Sequence, residues 1–167
     1  MIDRETAIHE LAHVAVIAGT PGIDTDIFLM DDGNHINVVT SSVVPQQVLA
    51  RAALVAAFTG AVYRRMAAGA TMADLYNWFA AAQGSVQRLG VLNDPAVSDF
   101  DRDLIATIPD LDACAAEIDR AVRLAQKYLA NPQLLDDVAA ALERHGRVAL
   151  GFRHATVVAT QKRMTLQ

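Results

Sequence analysis

The run from Ala52 to Tyr63 is almost wholly apolar and is closed by Arg51 on one side and by Arg64 and Arg65 on the other. A membrane-spanning helix needs about 20 apolar residues, and this stretch is much shorter. Pro45 suits the first turn of a helix and Gly69 its end, so the segment reads as a helix that starts within residues 42–45 and continues to about Ala68. A helix that is apolar on most sides has to be enclosed by other elements. Any fold this chain adopts is therefore organised around that segment.

The remaining segments supply the enclosure. Asp3 or Thr6 can cap a first helix that runs to about Ala18, with Gly19 as its stop and Pro21 just beyond. Residues 26–30 and 35–40 are short β-prone runs on either side of Asp31-Asp32-Gly33-Asn34, which predicts a β-hairpin. Thr71 caps a third helix to roughly Arg88, with Gly84 as an early break, and Ser98 caps a short helix over residues 99–107, stopped before Pro109. Asp110 opens a long amphipathic helix to Ala130, and Asn131-Pro132 leads into another that ends near His145 and Gly146. The expected fold class is mostly α (α+β), a single helical domain over residues 1–146 with one small β-hairpin, and residues 147–167 form a C-terminal tail without a clear pattern.

Composition narrows the function. A chain of 167 residues with a net charge of -5 lacks the basic stripe needed to neutralise phosphates, which argues against nucleic acid as a partner. The single cysteine, Cys114, permits no internal disulfide and reads as small core filling, so a reducing compartment is expected and the assignment is cytoplasmic. Asp3, Arg4, Glu5, His9, Glu10 and His13 interrupt the apolar core that a signal peptide would need, and no membrane span is expected. The mean hydropathy of +0.23 is high, and the surplus of Ala, Val and Leu points to a subunit interface in a homo-oligomer.

His9-Glu10-Leu11-Ala12-His13 is the H-E-x-x-H pattern, inside a segment that reads independently as a helix. Four residues advance a helix by a little over one turn, so the two imidazoles project from one face about 6 Å apart and can share a Zn2+ bonded at about 2.1 Å. Glu10 stands beside them as the general base for a water acidified by the metal, and it can return the proton to a leaving amine. A catalytic zinc takes a third protein ligand and keeps its fourth position open. The extended pattern with a third histidine is excluded, because Gly19 occupies that place. Among the four glutamates only Glu117 and Glu143 lie on later helices, whereas aspartates cluster at Asp99, Asp101 and Asp103; spacing alone does not choose among these.

The order of zinc helix, hairpin, long apolar helix, Asp-bearing helix and closing helical pair resembles the peptidase domain of the FtsH-type ATP-dependent zinc metalloproteases. In that family an Ala-x-x-His-Glu-Ala-Gly-His stretch supplies two ligands and the base; here the chain reads Thr6-Ala7-Ile8-His9-Glu10-Leu11-Ala12-His13, with Ala12 in place of glycine. The resemblance implies a third ligand in a Ser-Asp stretch at the start of a later helix, and Ser98-Asp99-Phe100 matches it, so Asp99 is the implied ligand. Asp103-Leu104 matches less well. The helices about Asn131 resemble the family's closing pair, and the likeness covers residues 1 to about 146. Two departures are plain: the sequence has no Gly-x-x-x-x-Gly-Lys-Ser/Thr loop, and Tyr63, Arg64 and Arg65 stand where the family carries an acidic pair.

The expected activity is that of a stand-alone zinc-dependent metallopeptidase. His9, His13 and Asp99 hold Zn2+, Glu10 serves as base, and the substrate is a peptide or unfolded protein, supplied by a separate delivery partner where unfolding is needed. The alternative is a non-catalytic metal-binding regulatory or interaction protein on the same fold. Residues 36–40 offer a strand edge on which an extended peptide could pair. His35 reads as an exposed turn residue, His145 and His154 as helix-end and tail residues, and Asp31-Asp32-Gly33-Asn34 as a turn without the ligand spacing of a calcium loop.

Overall fold

A computed structural model describes residues 4–84, 97–110 and 114–150 of the chain. The elements in order are α1 (Arg4–Ala18), β1 (Ile27–Asp31), β2 (Ile36–Thr40), α2 (Gln46–Ala67), α3 (Met72–Gly84), α4 (Asp99–Ala106), α5 (Ala115–Ala130), α6 (Pro132–His145) and β3 (Arg147–Leu150). The fold is mainly α with a small antiparallel sheet of three strands, ordered β2-β1-β3.

The apolar segment is the centre of the molecule. Every residue from Ala52 to Val62 on α2 is buried. Its faces are divided between two hydrophobic clusters. Ala52, Val55 and Ala56 meet α1, the sheet and α6 through Ile8, Leu11, Leu29 and Leu142. Ala53, Leu54, Ala57, Phe58 and Val62 meet Leu75 on α3, Leu104 and Ile105 on α4 and Ile118, Val122 and Ala125 on α5. Each fully buried Leu or Ile contributes roughly 1.5–3 kcal/mol relative to exposure, so both flanks of α2 are strongly held. Thr59, the polar residue within the run, donates its hydroxyl proton to the Val55 carbonyl at 2.6 Å and leaves no unmet donor.

Local signals set the helix ends. Pro45 precedes the first turn of α2, and residues 42–45 stay outside the helix. Thr71 and Asp74 cap α3 reciprocally: the Asp74 amide donates to Thr71 Oγ1, and the Thr71 amide donates to Asp74 Oδ2. Asn131 caps α6, Pro132 fills its first turn, and Gly146 ends it at φ 64°, a left-handed conformation that favours glycine. The Gly146 carbonyl then accepts from the Asp31 amide at 2.9 Å, and this steers the chain into β3 beside β1.

Two expectations change. Asp110 does not begin α5, which starts at Ala115; residues 111–113 lie outside those described. Residues 147–150, which had no clear pattern, form a third strand whose Val148 and Leu150 join the core, and the pairing partner is β1, far away in sequence. The predicted extension of α3 to Arg88 falls partly on residues outside the description, as does the rest of the tail. No described helix is long and apolar enough to cross a membrane.

Tyr128 on α5 is fully buried, and among the described residues its hydroxyl has no hydrogen-bond partner. Burial holds its ionisation well above the ordinary tyrosine range. The folded state thus retains the phenolic proton after the unfolded chain has begun to lose it, so this group removes stability as pH rises beyond about 10. Tyr128→Phe, which deletes an unmatched polar atom and keeps the ring, is expected to leave stability at pH 7 unchanged or raise it by up to about 1–3 kcal/mol and to flatten the alkaline decline. Denaturant melts at pH 7 and pH 10.5 check this; a large loss at pH 7 would mean the hydroxyl is bonded.

Candidate metal centre

Helix α1 turns Ala7, Ile8, Leu11, Val14 and Ile17 into the core, which leaves His9 and His13 on its margin. Their side chains are 15% and 14% exposed, and their ring centroids lie 5.0 Å apart at a steep interplanar angle of 76°. His9 Nε2 and His13 Nε2 approach to 3.3 Å.

The third member of the group comes from α4, and it is Asp101, not Asp99. Asp101 Oδ2 lies 3.1 Å from His9 Nε2 and Oδ1 lies 3.3 Å from His13 Nε2. Asp99 occupies the first position of α4, where its side chain is 94% exposed and pairs with Arg102. Two residues turn a helix by about 200°, so when one of these carboxylates faces solvent the other faces inward. Asp103 is exposed, and Glu117 and Glu143 stand outside the group. The signal for Asp101 was present in the sequence: Ser98-Asp99-Phe100-Asp101 has the spacing of a capping box, which directs its fourth residue back toward the cap. The Asp101 amide donates to Ser98 Oγ at 3.0 Å, and the Ser98 hydroxyl donates to Asp101 Oδ2 at 2.9 Å.

Burial and charge oppose each other here. Burial alone would raise the Asp101 carboxyl, but hydrogen bonds and positive charge from His13 and His9 outweigh it and hold the group well below the usual carboxylate range. At His9 burial pulls downward, yet the Asp101 hydrogen bond and the charges of Glu10 and Asp101 leave the imidazole above its ordinary value. Glu10 is raised, chiefly by burial, with His13 and His9 pulling it partly back. Two imidazole nitrogens and a carboxylate are all electron-rich, and their convergence calls for a proton or a cation among them. His9, His13 and Asp101 could hold a metal ion; among the described residues they are the one such group.

The group lies in a cleft of about 1180 Å³. Small residues of α2, Ala57, Gly60 and Ala61, line it, as do Glu10, Ser98, Phe100 and Arg64, and β2 contributes Ile36, Asn37, Val38 and Thr40. Arg64 Nε is ion-paired with Glu5 Oε1 at 2.9 Å, one turn before His9. His35 is exposed, as expected, and also lines the cleft; His145 is exposed at the end of α6, and His154 lies outside the described residues. The acidic turn is held by its own side chains, with Asp32 Oδ1 accepting the amides of Asn34 and His35 and Asp31 Oδ1 accepting that of Gly33.

Asp101→Asn is expected to weaken binding of a divalent ion by more than about 100-fold, the upper end of what residues behind a ligand achieve, whereas Asp99→Asn leaves it unchanged. Competition against a chromophoric chelator reads both, and the reverse ranking would restore Asp99 as the ligand. The chain matches no protein-family model, no curated protein and no solved structure, so what the site does has to be read from its own atoms.

Proposed function

We propose that the protein is a zinc-dependent metallopeptidase. The observation that carries this reading is the convergence of His9, His13 and Asp101 beside Glu10 in one open cleft. His9 Nε2 lies 3.1 Å from Asp101 Oδ2, His13 Nε2 lies 3.3 Å from Asp101 Oδ1 and the two Nε2 atoms are 3.3 Å apart, so two imidazoles and one carboxylate, a donor set that suits zinc, come within reach of one ion bonded at about 2.0–2.1 Å. When bound, such an ion supplies Lewis acidity toward a carbonyl and lowers the pKa of a water toward neutrality.

The protein's own groups then divide the work. His9 and His13 are set by the rigidity of α1, and Asp101 by the first turn of α4. Glu10 follows His9 in the chain and lies close enough to sense the charges of both histidines and of Asp101. It takes a proton from the attacking water as the water oxygen bonds to the carbonyl carbon. As the carbon–nitrogen bond breaks, Glu10 delivers that proton to the amine, leaving a carboxyl terminus and a free amino terminus.

A peptide substrate suits the walls. The cleft is larger than a typical small-molecule pocket of about 300–1,000 Å³ and it is open. The strand order places β2 at the edge of the sheet, so an extended chain could pair along Ile36–Thr40 as an added strand. The likeness to FtsH-type peptidase domains supports the same reading through the succession of zinc helix, hairpin, apolar helix and Asp-bearing helix. It differs in placing the ligand three residues after the serine.

Glu10→Gln is expected to retain zinc while cleavage of an unstructured fluorogenic polypeptide falls by about 10²–10⁴-fold. Zinc content by mass spectrometry and the cleavage rate are measured on the same preparation. Unchanged cleavage would remove Glu10 as the base, and a parent protein that carries zinc without cutting any unfolded chain would favour a binding role.

A further inference from the structure

Ser98 makes two hydrogen bonds of different kinds to the same residue. Its Oγ accepts the Asp101 amide at 3.0 Å, as an N-cap should, and its hydroxyl proton goes to Asp101 Oδ2 at 2.9 Å. A serine hydroxyl has one proton, and with the amide on its acceptor side that proton is committed to the carboxylate. Asp101 Oδ2 is thereby pinned, and the carboxylate plane is fixed with Oδ1 turned toward His13.

We propose that Ser98 is a positioning residue for the metal site: its hydroxyl presets the Asp101 carboxylate in the orientation that completes the ligand triangle with His9 and His13. The inference rests on the metal-binding reading and adds to it a residue that touches no ion. Without the Ser98 proton the carboxylate regains rotation about its side-chain bonds, and ordering it again is charged against binding. Because the same oxygen caps α4, the start of that helix and the geometry of the site are set by one atom. Leu104 and Ile105, both buried, anchor the remainder of α4 against α2 and α5, so the serine acts on a helix already held at its other end.

Capping and positioning can be separated by substitution. Glycine is nearly as good an N-cap as serine, alanine is a poor one, and neither can donate to Oδ2, whereas threonine can make both bonds. Zinc affinity of the full chain is measured by chelator competition for the parent, Ser98→Ala, Ser98→Gly and Ser98→Thr, and thermal melts are recorded without metal. The expected result is a loss of affinity of about 10–100-fold in both the alanine and the glycine variants and parent-like binding by the threonine variant. The alanine and glycine variants both melt lower because the buried carboxylate loses a donor, the alanine variant further because it also loses the cap, yet their affinities are alike. If Ser98→Gly binds zinc as tightly as the parent, or if affinity follows melting temperature across the series, the positioning role is overturned and the metal site stands. A parent protein that takes up no zinc overturns both. Should Ser98→Ala fail to fold, the glycine and threonine variants decide the matter.

Discussion

A carboxylate with 4% of its surface exposed survives inside a protein only if other groups replace the water it has lost, and Asp101 obtains that replacement from His9, His13 and Ser98. The arrangement ties together parts of the molecule that share little else. Helix α1 belongs to the hydrophobic cluster that includes the sheet and α6, whereas α4 belongs to the one that includes α3 and α5. Their polar meeting point lies where the two clusters come together over α2. The floor between them is made of small side chains, Ala57, Gly60 and Ala61, which keep the helix backbone low enough for a cleft to remain.

This placement explains why the site is both stiff and accessible. The three candidate ligands sit on helices, and Asp101 is backed by a further contact with Ser98. The open side is bounded by a sheet edge and a hairpin turn, elements that can meet a long chain without closing around it. Phe100, next to Asp101 in sequence and 68% exposed, adds an apolar surface at the mouth of the same cleft.

Much of this was legible in the chain before any coordinates, where the signal is local. Gly19, Pro45, Thr71, Ser98, Pro132 and Gly146 mark helix ends through backbone chemistry that acts within a few residues, and the helix boundaries near them follow. The histidine pair was legible for the same reason. The third carboxylate was legible only in part: the Ser98-to-Asp101 spacing carries a capping signal, but the family likeness favours the aspartate adjacent to the serine, whereas the capping geometry of this helix turns the one three residues on toward α1. Strand β3 was illegible for a different cause: four residues carry no periodicity of their own, and their conformation is imposed by β1 more than a hundred positions earlier.

The double-sided burial of α2 also limits how this protein can change over time. Each residue added to a helix rotates everything beyond it by about 100°. One insertion or deletion between Ala52 and Val62 would therefore hand side chains sized for one cluster to the other, and would swing the alanine and glycine floor away from the histidines. A change in residue count is therefore accommodated in the connections and not within the central segment.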